Sequence, residues 1–167
     1  MTLANWITLS RIAAVPFVIM LLPLQPWIAA LGFGLISLTD FVDGYVARRM
    51  NQVTSLGKLL DPIADKILVI TLLLYFVETL RISYIFVAII IVRELAVSAL
   101  RTLAALDNQI IKADQLGKAK TVWQYITLVW MIMAWPLENI FIYGMVGLTV
   151  VSGINYYWVN RKVLKHG

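Results

Sequence analysis

Tyr84-Ile-Phe-Val-Ala-Ile-Ile-Ile-Val-Arg93-Glu94-Leu-Ala-Val-Ser-Ala-Leu-Arg101-Thr-Leu-Ala-Ala-Leu106 decides the fold. A helix needs about 20 mostly apolar residues to cross a bilayer, and this stretch supplies them. Outward from it, the chain reads as five more such segments. They run from Ile7 to Leu24, Trp27 to Ala47, Leu59 to Val77, Leu116 to Trp135 and Ile140 to Trp158. Pro23 and Pro26 punctuate the first turn, and Pro136 with Asn139 the fifth. The fold class is therefore all-α: a polytopic bundle of six transmembrane helices with short loops. Thr2, Asn5 and Trp6 form a short interfacial N-terminal segment, because Trp favours the headgroup level.

Composition agrees. Of 167 residues, 61% are hydrophobic and only 14% charged, against roughly half and roughly a quarter in soluble domains. A soluble ball of this make-up would expose large apolar patches and aggregate. An ordinary soluble enzyme and a disordered chain are both excluded. Six spans use roughly 120 residues, so no extramembrane domain fits, and residues 1–167 read as one domain. There is no internal repeat and no linker. The N-terminus lacks the basic run and small-residue cleavage site of a signal peptide. With no cysteine there are no disulfides or thiolate metal sites, and the single His166 is next to last.

The net charge of +5 raises nucleic acid or acidic lipid as partners. The distribution of basic residues explains it without nucleic acid. Arg11, Arg48, Arg49, Lys58, Arg101, Lys112, Lys118, Lys120, Arg161, Lys162 and Lys165 fall near one set of helix ends. The other loops carry Arg81 with Glu78 and Glu138. By the positive-inside rule the basic ends, with both termini, face the cytoplasm.

Four of the nine acidic residues stand where apolar ones belong: Asp40, Asp43, Asp61 and Asp65, at the cytoplasmic half of the second and third segments. Charge inside a span is costly and marks function. The spacings i, i+3 and i, i+4 put each pair on one helix face. A loop of about ten residues joins the two segments as antiparallel neighbours, so the carboxylates converge on one cleft. Four close carboxylates take up protons or bind cations. All-oxygen ligands select a hard ion, Mg²⁺ or Mn²⁺ rather than Zn²⁺. Two such ions form a clamp for displacement at phosphorus. The plain alternative is four interfacial charges, solvated or paired with Arg48, Arg49, Lys58 and Lys66.

Gly44 and Ala47 share the Asp40–Asp43 face within about 100°, with Arg48 at its margin, and Gly57 shares the face of Asp61 and Asp65. The small residues leave room for a ligand against the backbone, and Arg48 offers a bidentate phosphate grip. On their own they would read as helix packing.

Asp40-Phe-Val-Asp43-Gly44-Tyr-Val-Ala47-Arg48, eight residues, Gly57, three, Asp61, three, Asp65 resembles the signature of the CDP-alcohol phosphotransferases, matching all eight fixed residues over 26 positions. The six-helix layout is similar over the whole chain. The resemblance implies transfer of a phosphatidyl or similar group from a CDP-linked lipid to an alcohol, with release of CMP. It implies that the four aspartates bind two metal ions and that Asp65 is also the general base. It places Gly44, Ala47, Arg48 and Gly57 beside the CDP moiety, and it favours a homodimer.

The acceptor is read from further stretches. Asn5-Trp-Ile-Thr8-Leu-Ser-Arg11, Asp61-Pro-Ile-Ala-Asp65-Lys66, Arg93-Glu94 with Ser98 and Arg101, and Gly117-Lys118-Ala-Lys120-Thr121 resemble the bacterial branch that makes phosphatidylglycerophosphate. Its acceptor is sn-glycerol 3-phosphate, which implies the bacterial cytoplasmic membrane. A phosphorylated acceptor requires a cationic pocket, and Arg93, Arg101 and Lys118 are its candidates. Arg93 and Arg101 lie two turns apart, about 12 Å along the axis, and would line one deep groove. Arg93-Glu94 has a second reading as a structural polar lock, each residue finding a partner elsewhere. Lys120 reads as a headgroup or topology charge, and Lys66 as pairing across the bundle. Asn5 and Thr8 hold the cytidine or its ribose, or simply cap a helix. Ser152, Asn155, Tyr156 and Tyr157 read as interhelical hydrogen bonds, and the methionines as core or lipid-facing.

Two alternatives stand beside this reading. One is the same chemistry on inositol phosphate, serine or a second lipid; the cationic groove disfavours an uncharged acceptor. The other is a Mg²⁺ transporter. Transport would spread carboxylates through the membrane, whereas these four cluster near one side and only Glu94 extends acidity elsewhere.

Overall fold

A computed structural model describes residues 3–49, 55–106 and 114–161, with the side chains of residues 10, 12–38, 66–102, 104 and 114–161. Among the described residues there are six α-helices and no strand: α1 (Leu3–Leu21), α2 (Pro26–Arg49), α3 (Ser55–Glu78), α4 (Tyr84–Leu106), α5 (Gln115–Ile132) and α6 (Glu138–Asn160). Each apolar segment becomes one helix. The chain groups into two compact units, Met1–Glu78 and Thr79–Gly167.

Helix starts follow local chemistry. α2 opens on Pro26, whose fixed φ and missing N–H suit the first helical position. α4 is capped by Ser83, whose Oγ accepts the Ile85 N–H at 3.3 Å, relieving one orphan donor of the first turn. α1 begins at Leu3, so Asn5 and Trp6 belong to the first helix. The interfacial placement expected for Thr2, Asn5 and Trp6 concerns side chains outside the described set. α1 also runs through Pro16.

α5 stops at Ile132, three residues before the expected Trp135. The turn to α6 places Ala134 (φ 50°) and Leu137 (φ 63°) in the left-handed region. Neither is a glycine, and the turn is held by aromatic packing. Trp130 stacks on Phe141 with ring centroids 4.1 Å apart and meets Trp135 edge-on at 4.8 Å and 78°. The Trp130 indole donates to the Pro136 carbonyl at 2.8 Å.

In the first unit α1 packs against both α2 and α3. Its core takes Val15, Val18 and Leu22, then Ala29 and Phe33, then Leu68, Val69, Leu72, Leu73 and Phe76. The α3 positions recur at helical spacing, one apolar face of the helix. In the second unit α6 packs against both α4 and α5. Its core includes Val87, Ile90, Val97, Leu128, Met131, Ile142, Met145 and Tyr156.

Beside these apolar cores, a few polar side chains are buried and many large apolar ones face outward. Lys120, Gln124, Thr127, Thr149 and Ser152 are buried. Phe17 and Met20 on α1, Leu31 and Leu35 on α2, Leu74 on α3, Ile85 and Val92 on α4, Val122 on α5, and Val151 and Ile154 on α6 are exposed. Buried hydroxyls are satisfied within their own helix: Thr127 Oγ1 donates to the Trp123 carbonyl at 2.8 Å and Thr149 Oγ1 to Met145 at 2.7 Å. Among the described residues one helix, Glu138–Asn160, is both long and apolar enough throughout to cross a membrane by length and composition.

Candidate functional site

In the first unit, Asp40, Asp43, Gly44, Ala47 and Arg48 fall on α2, and Gly57, Asp61 and Asp65 on α3. Asn5 and Thr8 fall on α1. All ten positions are thus helical. α2 and α3 also touch. The side chains of these ten residues lie outside the described set. Among the described residues no three potential metal ligands cluster.

The second unit carries a buried polar cluster at the meeting of α4, α5 and α6. Arg93 and Glu94 are adjacent on α4, so their Cα–Cβ bonds diverge by about 100°. Their long side chains nevertheless fold together, and Arg93 Nη1 donates to Glu94 Oε1 at 3.0 Å. The same Glu94 oxygen accepts from Lys120 Nζ on α5. Lys120 also donates to Gln124 Oε1, one turn further along α5. On the other side, Arg93 Nη2 donates to Ser152 Oγ on α6 at 3.2 Å. One arginine and one glutamate therefore tie three helices together.

Two glycines make the slot in which Arg93 lies. A Cβ on Gly153 would come within 3.1 Å of Arg93 Cγ, and one on Gly117 within 3.7 Å of Nη2. The Gly117-Lys118-Ala-Lys120 stretch thus contributes in two ways, a glycine beside the guanidinium and a lysine beneath it. Among the described residues, Arg93 Nε and Gln124 Nε2 are buried without a hydrogen-bond partner.

Lys120 is corrected here. Read as a headgroup or topology charge, it is 1% exposed. A buried ammonium is tolerable only when paired and hydrogen-bonded, and Glu94 and Gln124 meet that need. Arg93-Glu94 matches the polar-lock reading in part: both residues reach other helices, yet they also bond each other.

Arg93 lines a groove of about 570 Å³ between α4 and α6, together with Val92, Ala96, Thr149, Gly153 and Tyr156 among others. The groove is mostly apolar, and among the described residues Arg93 is the one charged residue in its lining. Arg101 is exposed outside the lining. Its Nε donates to the Tyr156 hydroxyl at 3.3 Å, and its guanidinium sits 5.5 Å over that ring. Tyr156 thus joins Arg101 to the groove that holds Arg93. Lys118 is exposed in the first turn of α5.

The interhelical reading of α6 fits for three residues. Ser152 receives Arg93, Tyr156 receives Arg101, and Asn155 Nδ2 donates to Asp114 Oδ2 at 2.6 Å. Asp114 is the N-cap residue of α5 but makes no side-chain cap bond; its carboxylate reaches α6 instead. Tyr157 is exposed.

Comparison with known proteins adds a family model described as CDP-alcohol phosphatidyltransferase, which matches residues 1–151. Three relatives carry the name CDP-diacylglycerol–glycerol-3-phosphate 3-phosphatidyltransferase. The protein from Rickettsia bellii is 37% identical, covering 96% of both chains. That from Bacillus subtilis is 37% identical over 98% of this chain and 97% of its own. That from Escherichia coli K12 is 35% identical over 91% and 87%.

Proposed function

This chain belongs to the CDP-alcohol phosphatidyltransferase family, and from that premise we propose that it transfers the phosphatidyl group of CDP-diacylglycerol to sn-glycerol 3-phosphate, giving phosphatidylglycerophosphate and CMP. The observation that carries the reading is near-full-length similarity, at 37% identity, to proteins named for that reaction.

The donor set fits a divalent metal: four carboxylates, all hard oxygen ligands, on two helices. Asp40, Asp43, Asp61 and Asp65 hold two ions, Mg²⁺ or Mn²⁺. When bound, such ions neutralise the pyrophosphate and activate phosphorus toward displacement. Asp65 also takes the proton from the acceptor hydroxyl. Arg48 grips a phosphate of the CDP group. Gly44, Ala47 and Gly57 leave space against the backbone for it, and Asn5 and Thr8 hold the cytidine or ribose. Arg93, Arg101 and Lys118 bind the phosphate of glycerol 3-phosphate.

The setting is a bilayer. The helices are 18 to 24 residues long, about 27 to 36 Å at 1.5 Å per residue, against a hydrocarbon core of about 30 Å. Exposed apolar side chains on every helix suit lipid contact. We read the chain as one domain of six spans in the bacterial cytoplasmic membrane, with basic ends, termini and active site on the cytoplasmic side. Family resemblance favours a homodimer.

The test is CMP release from CDP-diacylglycerol by the purified protein, with a panel of alcohols. Metal-dependent release with glycerol 3-phosphate is expected. Release with inositol phosphate or serine but not with glycerol 3-phosphate would overturn the acceptor.

A further inference from the structure

We propose that Glu94 is a positioning residue for the acceptor: its carboxylate, shared between Arg93 and Lys120, aims the Arg93 guanidinium at the phosphate of glycerol 3-phosphate. This rests on the reading that Arg93 binds that phosphate.

The geometry carries the proposal. Arg93 is 12% exposed and Glu94 17%, while Lys120 is almost fully buried. At such burial a guanidinium is oriented by its partners. Arg93 has one terminal nitrogen on Glu94 and the other on Ser152. These two bonds, with the stem lodged against Gly153, fix the plane of the fork. A fork held in one plane loses little freedom when it takes a phosphate. Remove the Glu94 charge and the arrangement inverts, because Arg93 and Lys120 converge on the same oxygen. Two cations drawn to one point then repel each other at low dielectric, and the guanidinium turns away.

A purely structural lock would leave its donors satisfied. This cluster keeps two buried donors without partners among the described residues, Arg93 Nε and Gln124 Nε2. Gln124 must present its oxygen to the Lys120 ammonium, which has only donors, so its amide N–H₂ is turned away from that bond. Each unpaired buried donor costs about 1–3 kcal/mol. Of the two, Arg93 Nε belongs to a residue that lines the groove, where a phosphate oxygen would offer the guanidinium a further acceptor.

The experiment compares purified full-length variants: Glu94→Asp, which keeps the charge but withdraws it by one methylene; Glu94→Gln with Lys120→Met, which removes one anion and one cation together; and Arg93→Ala. Each is measured for the KM of glycerol 3-phosphate, the KM of CDP-diacylglycerol and the thermal midpoint. For both Glu94 variants we expect the glycerol 3-phosphate KM to rise roughly tenfold with the CDP-diacylglycerol KM close to wild type; the midpoint should fall for Glu94→Asp, which leaves the buried Lys120 ammonium less well paired, and stay close to wild type for the double variant, which leaves no such cation. If both keep the wild-type acceptor KM while Arg93→Ala raises it, Glu94 positions nothing and the Arg93 reading stands. If Arg93→Ala also leaves that KM unchanged, both readings fall. If the Glu94 variants lose stability and weaken both substrates alike, the cluster is only a structural lock and the proposal is overturned.

Discussion

The indole of Trp123 on α5 occupies the side-chain position of Gly144 on α6: a Cβ at Gly144 would lie 2.7 Å from Nε1 and 3.0 Å from Cε2. That indole also donates to the Phe141 carbonyl at 3.2 Å. Gly144→Ala must therefore displace a bonded, stacked ring, at about 1–3 kcal/mol. Gly147, one turn on, has nothing within 4 Å of such a Cβ. Gly147→Ala should be neutral or stabilising by up to about 1 kcal/mol. Thermal unfolding in detergent separates the two; equal midpoints would refute the close α5–α6 contact.

Arg101 is exposed and leans on Tyr156, so Arg101→Ala should not perturb folding. Loss of a charge-assisted phosphate contact is worth about 1.5–3 kcal/mol. The apparent KM for glycerol 3-phosphate should rise at least tenfold, and that for CDP-diacylglycerol should stay put. Equal changes in both would remove Arg101 from the acceptor site.

Asp65→Asn should lower turnover by at least about 10²-fold, with the thermal midpoint retained. Near-normal turnover in that variant is incompatible with a general-base role.

Chelation with EDTA should stop CMP release, and Mg²⁺ or Mn²⁺ should restore it better than Zn²⁺. Release that survives exhaustive chelation would exclude a metal role for the four aspartates.

Arg81 and Glu138 form a bidentate ion pair in the second unit, with 27% and 24% of their side chains exposed. At that exposure a pair contributes about 0–1 kcal/mol and is screened by salt. Glu138→Gln should shift the midpoint slightly at low ionic strength and less at high. A large, salt-independent loss would mean the pair behaves as buried.

What could be read from sequence, and what could not, divides along chemical lines. The helices were legible because apolar runs of this length carry their own periodicity; α4 was expected from Tyr84 to Leu106 and found there. The aspartate motif was legible because it is local, with its spacings given by one helix or its neighbour. Lys120 was not: its partner Glu94 lies 26 residues earlier, and a lysine near a helix end reads as a surface charge. The Arg93–Glu94 bond was hidden by the rule that neighbours on a helix diverge, which holds for Cβ atoms and fails for long side chains. Nor does propensity foresee left-handed Ala134 and Leu137, whose turn depends on aromatic packing against Phe141 and Pro136. Gly144 was unremarkable in sequence because only Trp123 gives it a role.

The Trp130–Trp135 pair has an optical consequence. Two indoles 4.8 Å apart and 78° out of plane are coupled oscillators with non-parallel transition dipoles. Their strong ultraviolet bands split into a pair of opposite sign in circular dichroism. One ring belongs to α5 and the other to the turn that follows it, so the couplet exists only while this turn keeps its fold. The chain thus carries a built-in spectroscopic gauge of this corner, readable without a label and independent of substrate.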